Sequence, residues 1–145
     1  AIRMNDDLMN DKSYYFDEVL RIKEMIEGSQ SGNIHLFLLD EIFKGTNTVE
    51  RISAGKAVLE HLSKGNFVFV ASHDIELAGL LKDTFQLFHF SEIVSDDGID
   101  FDYKLKPGKL TTRNAIKILK YSGYPEHIIL EALKISNFLD EKGKV

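Results

Sequence analysis

Between Tyr14 and Ile26 the apolar side chains fall at Phe16, Val19, Leu20, Ile22, Met25 and Ile26. That spacing mixes three and four residues and predicts an amphipathic helix. Gly28, Ser29, Ser31 and Gly32 supply the loop that ends it. The pattern then changes. Ile34-His35-Leu36-Phe37-Leu38-Leu39-Asp40-Glu41 is almost continuously apolar and stops on two carboxylates, which predicts a parallel strand covered on both faces. Thr46-Asn47-Thr48 offers N-caps, with Glu50 near the capping-box position. The helix opened there is expected to reach His61 or Leu62 and to bury Ile52, Val58 and Leu62.

After a turn at Lys64-Gly65-Asn66, Phe67 to Ala71 predicts a second buried strand, ending at Ser72-His73-Asp74. A short helix follows from Ile75 to Leu81. Phe85 to Val94 and Phe101 to Leu105 read as two more strands, separated by the turn signal Ser95-Asp96-Asp97-Gly98. Past Pro107-Gly108 the pattern predicts helices from Thr112 to Tyr121 and from Pro125 to Leu139, broken at Ser122-Gly123. Repeated strand–helix crossovers imply an α/β sheet with a helical tail.

Composition narrows the class. A length of 145 residues, 43% hydrophobic and 28% charged, suits a globular domain with a real core. The longest apolar runs are far too short to span a bilayer. The absence of cysteine removes disulfide and thiolate chemistry and fits a cytoplasmic protein. A net charge of −5 makes the chain a poor DNA clamp by itself, because phosphate neutralisation by Lys and Arg dominates non-specific affinity. The chain opens on Ala1 rather than methionine, and is expected to be a piece of something longer.

Chemistry concentrates at the strand ends. Carboxylates at the carboxyl end of a buried parallel strand lie where open α/β sheets bind ligands. Nucleotide hydrolases need two acids there, one for hydrated Mg²⁺ and one for the attacking water. The bland alternative makes Asp40 a helix cap and Glu41 a solvated loop acid. One crossover later His73 would reach the same edge as Glu41, able to meet a phosphate or a water; otherwise Ser72 or Asp74 caps the next helix and His73 is incidental. Gly45-Thr46-Asn47 and Ser13 each precede a helix, where amides favour anionic oxygen but where plain capping accounts for them as well. His35, His61, His89 and His127 show no metal-ligand spacing and are taken as structural. Phe88, Phe90 and Tyr103 are expected to fill a core, and the basic stretch from Lys104 to Lys120 to form a solvated face.

Taken in order, these segments resemble the ATPase domain of the MutS family. Leu36-Phe37-Leu38-Leu39-Asp40-Glu41 is similar to its Walker B strand, and Phe43-Lys44-Gly45-Thr46-Asn47-Thr48 to the D-loop that follows. Ala71-Ser72-His73-Asp74 resembles its switch-histidine segment. Asp6-Asp7-Leu8, then Ser13-Tyr14-Tyr15-Phe16 and Glu18, resemble the signature loop and the helix after it. Tyr103 to Gly108, Asn114-Ala115-Ile116, Gly123-Tyr124-Pro125 and Ala132 are similar to the strand and helix-turn-helix tail closing such domains. The likeness covers nearly the whole chain.

The resemblance implies a P-loop NTPase-like (ABC ATPase) partial sheet, mostly parallel, over residues 1–110, and a helical dimerisation tail over 111–145. It implies ATP and Mg²⁺ as cofactors of the intact protein. Asp40 would hold Mg²⁺ through water, Glu41 would polarise the nucleophilic water, and His73 would sense the γ-phosphate. Two ATPase domains would pair head to tail as a homodimer, with Ser13 reaching the partner's γ-phosphate and Asn47 at the shared interface. DNA would be bound through domains outside this chain, with no role for a membrane. Mismatch repair or recombination is the implied process.

The departures are specific. No Gly-x-x-x-x-Gly-Lys-Ser/Thr pattern occurs: Gly55-Lys56 is followed by Ala57, and Gly108-Lys109 by Leu110. Without that loop the chain alone is expected to bind ATP weakly and not to hydrolyse it. Lys44 stands where arginine is common, Asn47 where serine is, and Tyr14-Tyr15-Phe16 where Thr-Phe is, which suggests a divergent branch. Two alternatives compete: an SMC-type DNA ATPase, whose longer signature motif is missing between Glu27 and Asn33, and a non-catalytic dimerisation module.

Overall fold

A computed structural model describes residues 11–95, 98–110 and 114–142. Contacts divide the chain into two compact units, one ending at Leu87 and the other beginning at Phe88. The described residues form five helices and six short strands, an α/β arrangement. None of the described helices is long and apolar enough to cross a membrane.

In the first unit the order is α1 (Asp11–Ser29), β1 (Leu36–Asp40), α2 (Thr48–Leu62), β2 (Phe67–Ala71) and α3 (Ile75–Leu81). β1 and β2 pair in parallel, with Leu36 opposite Phe67 and Asp40 opposite Ala71. The crossover between them is α2, as a parallel pair requires. Asn47 caps α2 by accepting the Glu50 amide at 3.0 Å, as its position predicts. Asn66 closes the return turn, accepting the His35 amide at 2.9 Å.

One core unites these elements. Phe37 and Leu39 of β1 meet Ile22 of α1, Leu59 and Leu62 of α2, Leu77 and Leu81 of α3, and Ile42 and Phe43 of the loop after β1. The stripe of α1 that joins it is Tyr15, Val19, Ile22 and Ile26, while Phe16 and Leu20 turn outward. The centre of the α2 stripe is Gly55, Leu59 and Leu62. Ile52 and Val58, expected inside, are only partly covered because they flank that line. Gly55 lets the loop approach: a Cβ there would stand 3.3 Å from Ile42 Cγ2.

The expectation that both strands are covered on both faces is corrected. Leu36 and Leu38 of β1, and Phe67 and Phe69 of β2, are half or more exposed. Alternate residues of a strand point to opposite faces, and the core contacts of α1, α2 and α3 engage only the face bearing Phe37 and Leu39.

In the second unit the strands are β3 (Phe88–His89), β4 (Glu92–Ser95), β5 (Gly98–Phe101) and β6 (Lys106–Pro107). β4 pairs with β5 and β3 with β6, both antiparallel. The two long strands expected over 85–94 and 101–105 are therefore four short ones, and among the described residues one of the three two-stranded sheets is parallel. Phe90 and Ser91 fall between β3 and β4, so the chain switches partner there. Phe88, Phe90 and Tyr103, expected to fill a core, are exposed, because a two-stranded ribbon has too little area to bury both faces. α4 (Ala115–Tyr121) and α5 (Glu126–Lys142) form the tail. Gly123, at φ 77°, makes the break between them. Along α5, Leu130, Leu133 and Phe138 remain exposed.

Candidate functional site

The site grows from the parallel pairing of β1 and β2. Because their registers match, both strands end at the same edge, and the Glu41 amide extends the ladder by donating to the Ala71 carbonyl at 2.9 Å. Asp40 is the last residue of β1 and is exposed at its tip. Glu41 follows with φ 56° and Phe43 with φ 57°, left-handed conformations that cost side-chain-bearing residues roughly 1–2 kcal/mol each. Strain of this kind persists only where surroundings enforce it. Here Ile42 and Phe43 are drawn into the core, and the Phe43 amide donates to Glu18 Oε1. Forcing Ile42 and Phe43 inward turns the Glu41 carboxylate toward β2.

There it meets His73. Glu41 Oε1 lies 3.4 Å from His73 Nε2, and Glu41 Oε2 lies 3.0 Å from Lys44 Nζ. The His73 side chain is 95% exposed while that of Glu41 is 26% exposed. A half-buried acid therefore faces a solvent-accessible imidazole across the sheet edge. A shallow cleft opens beside them, lined by Glu41, Lys44, Arg51, Ser72, His73 and Asp74.

Asp74 stands at the N-cap position of α3, yet its side chain makes no capping bond. Its carboxylate is taken by Arg51 of α2, with Nε donating to Oδ2 and Nη2 to Oδ1, both at 2.8 Å. The Arg51 fork holds the Asp74 carboxyl below its ordinary range, against the opposing effect of burial. Glu18 behaves in the opposite way. Only 3% exposed, it has its pKa raised by burial, while the Phe43 and Lys44 amides pull it down and the neighbouring charge of Glu41 adds to the rise.

The sequence-derived candidates thus separate. Glu41 and His73 meet at the sheet edge, while Asp40 ends β1 at that edge without lining the cleft. Asn47 is on the surface at the start of α2, its Oδ1 occupied by the helix cap. Ser13 falls in the first turn of α1, and its side chain lies outside the described residues, as does the Asp6-Asp7-Leu8 segment. Ser72, weighed as a cap, instead accepts the Asp74 amide at 3.0 Å. Arg51 and the loop-holding role of Glu18 escaped the sequence reading; their partners lie 23 and 25 residues away, and no local pattern marks such pairs. His35 stacks on Phe37 and His89 Nδ1 lies 2.9 Å from the Gly108 carbonyl, in keeping with structural roles.

Among the described residues no three His, Asp or Glu side chains cluster so as to hold a metal ion. The described residues offer no all-protein cage. A single carboxylate at a strand tip suits Mg²⁺ only where the ion keeps most of its waters and takes further ligands from phosphate.

Residues 1–140 match the family model for MutS domain V. The DNA mismatch repair protein MutS of Aquifex pyrophilus is 31% identical over 137 residues, covering 91% of this chain and 16% of that protein. The protein of the same name from Carboxydothermus hydrogenoformans is 29% identical over 147 residues, covering 98% and 17%. The DNA mismatch repair protein MutS 2 of Halobacterium salinarum is 27% identical over 136 residues, covering 90% and 15%. The chain spans about one-sixth of the length of these curated relatives.

Proposed function

The chain belongs to the MutS family, and on that premise we propose that it is the rear part of an ATP-hydrolysing engine in a DNA mismatch-repair or recombination protein. The observation that carries this reading is the meeting of Glu41 and His73, 3.4 Å apart at the ends of adjacent parallel strands. Structural caps would have no reason to aim an acid and an imidazole at each other across a sheet edge.

In this reading the first unit is part of a P-loop NTPase-like sheet. The bare apolar face of β1 and β2 supports that, since Leu36, Leu38, Phe67 and Phe69 are the side chains of a sheet built to be covered twice. The phosphate-cradling loop would come from another segment of the longer protein. Asp40 would hold Mg²⁺ through water. Bound Mg²⁺ would neutralise charge on the phosphate oxygens. Glu41 would orient the attacking water and draw its proton, and His73 would donate a hydrogen bond to the γ-phosphate. The half-buried setting of Glu41 limits competing solvent, while exposed His73 is open to a nucleotide.

A second ATPase domain, most simply another copy, would complete the site head to tail. Asn47, exposed at the start of α2, is available to such a partner, and Ser13 would reach the partner's phosphate. The exposed Leu130, Leu133 and Phe138 of α5 support a dimerisation role for the tail. DNA would be held by domains outside this chain, consistent with its net charge of −5. Glu41→Gln in the full-length protein tests the engine: the expected result is Mg-ATP affinity kept and steady-state turnover lost by about 100-fold or more. Unchanged turnover would reduce the chain to a dimerisation module.

A further inference from the structure

We propose that Arg51 is a positioning residue for His73, acting through Asp74, and that it ties the histidine to the Asn47 end of α2. The inference rests on the functional reading above. His73 has little of its own to fix it: the side chain is 95% exposed, and the polar neighbour within reach is Glu41 at 3.4 Å. Its place therefore depends on the backbone between Ser72 and Asp74. That backbone is held from one side by the Asp74 amide donating to Ser72 Oγ at 3.0 Å. From the other side it is held by the two 2.8 Å bonds from Arg51 to the Asp74 carboxylate.

The pair is built for rigidity. The Arg51 and Asp74 side chains are only 23% and 15% exposed, and a bidentate fork fixes direction as well as distance. Asp74 forgoes the capping bond its position would allow, a bond ordinarily stabilising by about 1 kcal/mol. The side chain is committed to α2 instead. Arg51 is in turn bound into the start of that helix. Its amide donates to the Asn47 carbonyl at 2.9 Å, and its Nη2 lies 3.5 Å from Thr48 Oγ1. A displacement of Asn47 or Thr48 therefore moves the Arg51 fork, then Asp74, then the residue before it. The Arg51–Asp74 pair and the Glu41–His73 pair line the same cleft, so this movement changes the distance between the acid and the imidazole. A lysine at position 51 would supply a point charge without the fork, keeping attraction but losing direction.

The test is a double-mutant cycle in the full-length protein, with steady-state ATP turnover and Mg-ATP affinity measured for wild type, R51A, H73A and R51A/H73A. R51A is expected to lower kcat about 10- to 100-fold, the scale of a misplaced catalytic group, with Mg-ATP affinity within about twofold. In the H73A background the same change is expected to add almost nothing, and R51K to fall between R51A and wild type. Equal losses in both backgrounds would make Arg51 a general structural support and overturn the inference, leaving the ATPase reading intact. Turnover of H73A equal to wild type would overturn that reading and the inference with it. D74N, which keeps shape and removes charge, replaces R51A in the cycle where R51A does not fold, with the same expected outcomes.

Discussion

Glu18 Oε1 accepts the Phe43 amide at 2.5 Å, so the first helix grips the loop that bears Glu41. The bond joins residues 25 apart in sequence and holds Phe43, one of the two left-handed positions, Glu41 and Phe43, that follow β1. An acid buried to 3% exposure is an expensive group to keep, and its retention beside Glu41 makes it part of the support of the candidate site.

That cost has a pH signature. Burial holds the Glu18 carboxyl above its ordinary value of 4.5, so the unfolded chain releases this proton at lower pH than the folded one. The stabilisation is complete below about 4.5 and is lost as pH rises through the higher folded value. Glu18→Gln keeps an acceptor for Phe43 and removes the titration. Urea unfolding of the two forms across pH 4 to 8 is expected to show a declining wild-type contribution that the variant lacks; parallel curves would contradict it.

Asp74 titrates with the opposite sign. The Arg51 fork lowers its pKa below the ordinary 3.8, so its contribution is present above about 3.8 and is lost as pH falls through the lower folded value. Asp74→Asn should flatten the acid limb of the stability curve. An acid limb as steep in the variant as in wild type would show that the pair contributes nothing to folding.

Gly45 carries a steric prediction. A Cβ there would stand 2.9 Å from Tyr15 Cβ, an atom fixed to the backbone of α1 and unable to swing away. Gly45→Ala is expected to cost about 1–3 kcal/mol, read as a lowered unfolding midpoint. Gly28→Ala, where the added Cβ meets nothing within 4 Å, serves as the control.

The uncovered sheet face predicts how the chain behaves alone. With Leu36, Leu38, Phe67 and Phe69 facing solvent, the isolated chain should bind a hydrophobic dye and self-associate. Leu38→Thr with Phe69→Thr places strand-favouring β-branched polar side chains on that face and should reduce both signals. Identical dye binding would mean another surface is responsible.

Nucleotide binding by the isolated chain should be weak, because no P-loop motif occurs in its 145 residues and the lysine and amides that cradle phosphate are missing with it. Calorimetric titration with Mg-ATP is expected to give no micromolar binding. Micromolar affinity would mean that other residues here hold the nucleotide.

Much of the first unit is legible in the chain. The run Leu36 to Leu39 and the run Phe67 to Ala71, each closed by polar residues and separated by a capped helix, determined a parallel pair and therefore a shared edge for Asp40, Glu41 and His73. Helix limits near Thr46 to Thr48, at His61 or Leu62, and at Ile75 and Leu81 followed from caps and turn residues, because these act through neighbours three or four positions away. The ribbons of the second unit were less legible. Short strands that change partner at Phe90 and Ser91 leave no periodicity long enough to read.

What the sequence determined was the family, the parallel pair and the edge where chemistry would gather, since local periodicity and strand endings encode these. Only the tertiary structure decided that Asp74 serves Arg51 rather than its own helix, that Glu18 holds the Glu41 loop, and that Leu36, Leu38, Phe67 and Phe69 stand on an exposed sheet face. Those outcomes depend on which distant groups share a buried, low-dielectric space, where unpaired charges and amides must find partners. Chain order does not specify that neighbourhood until the core has closed.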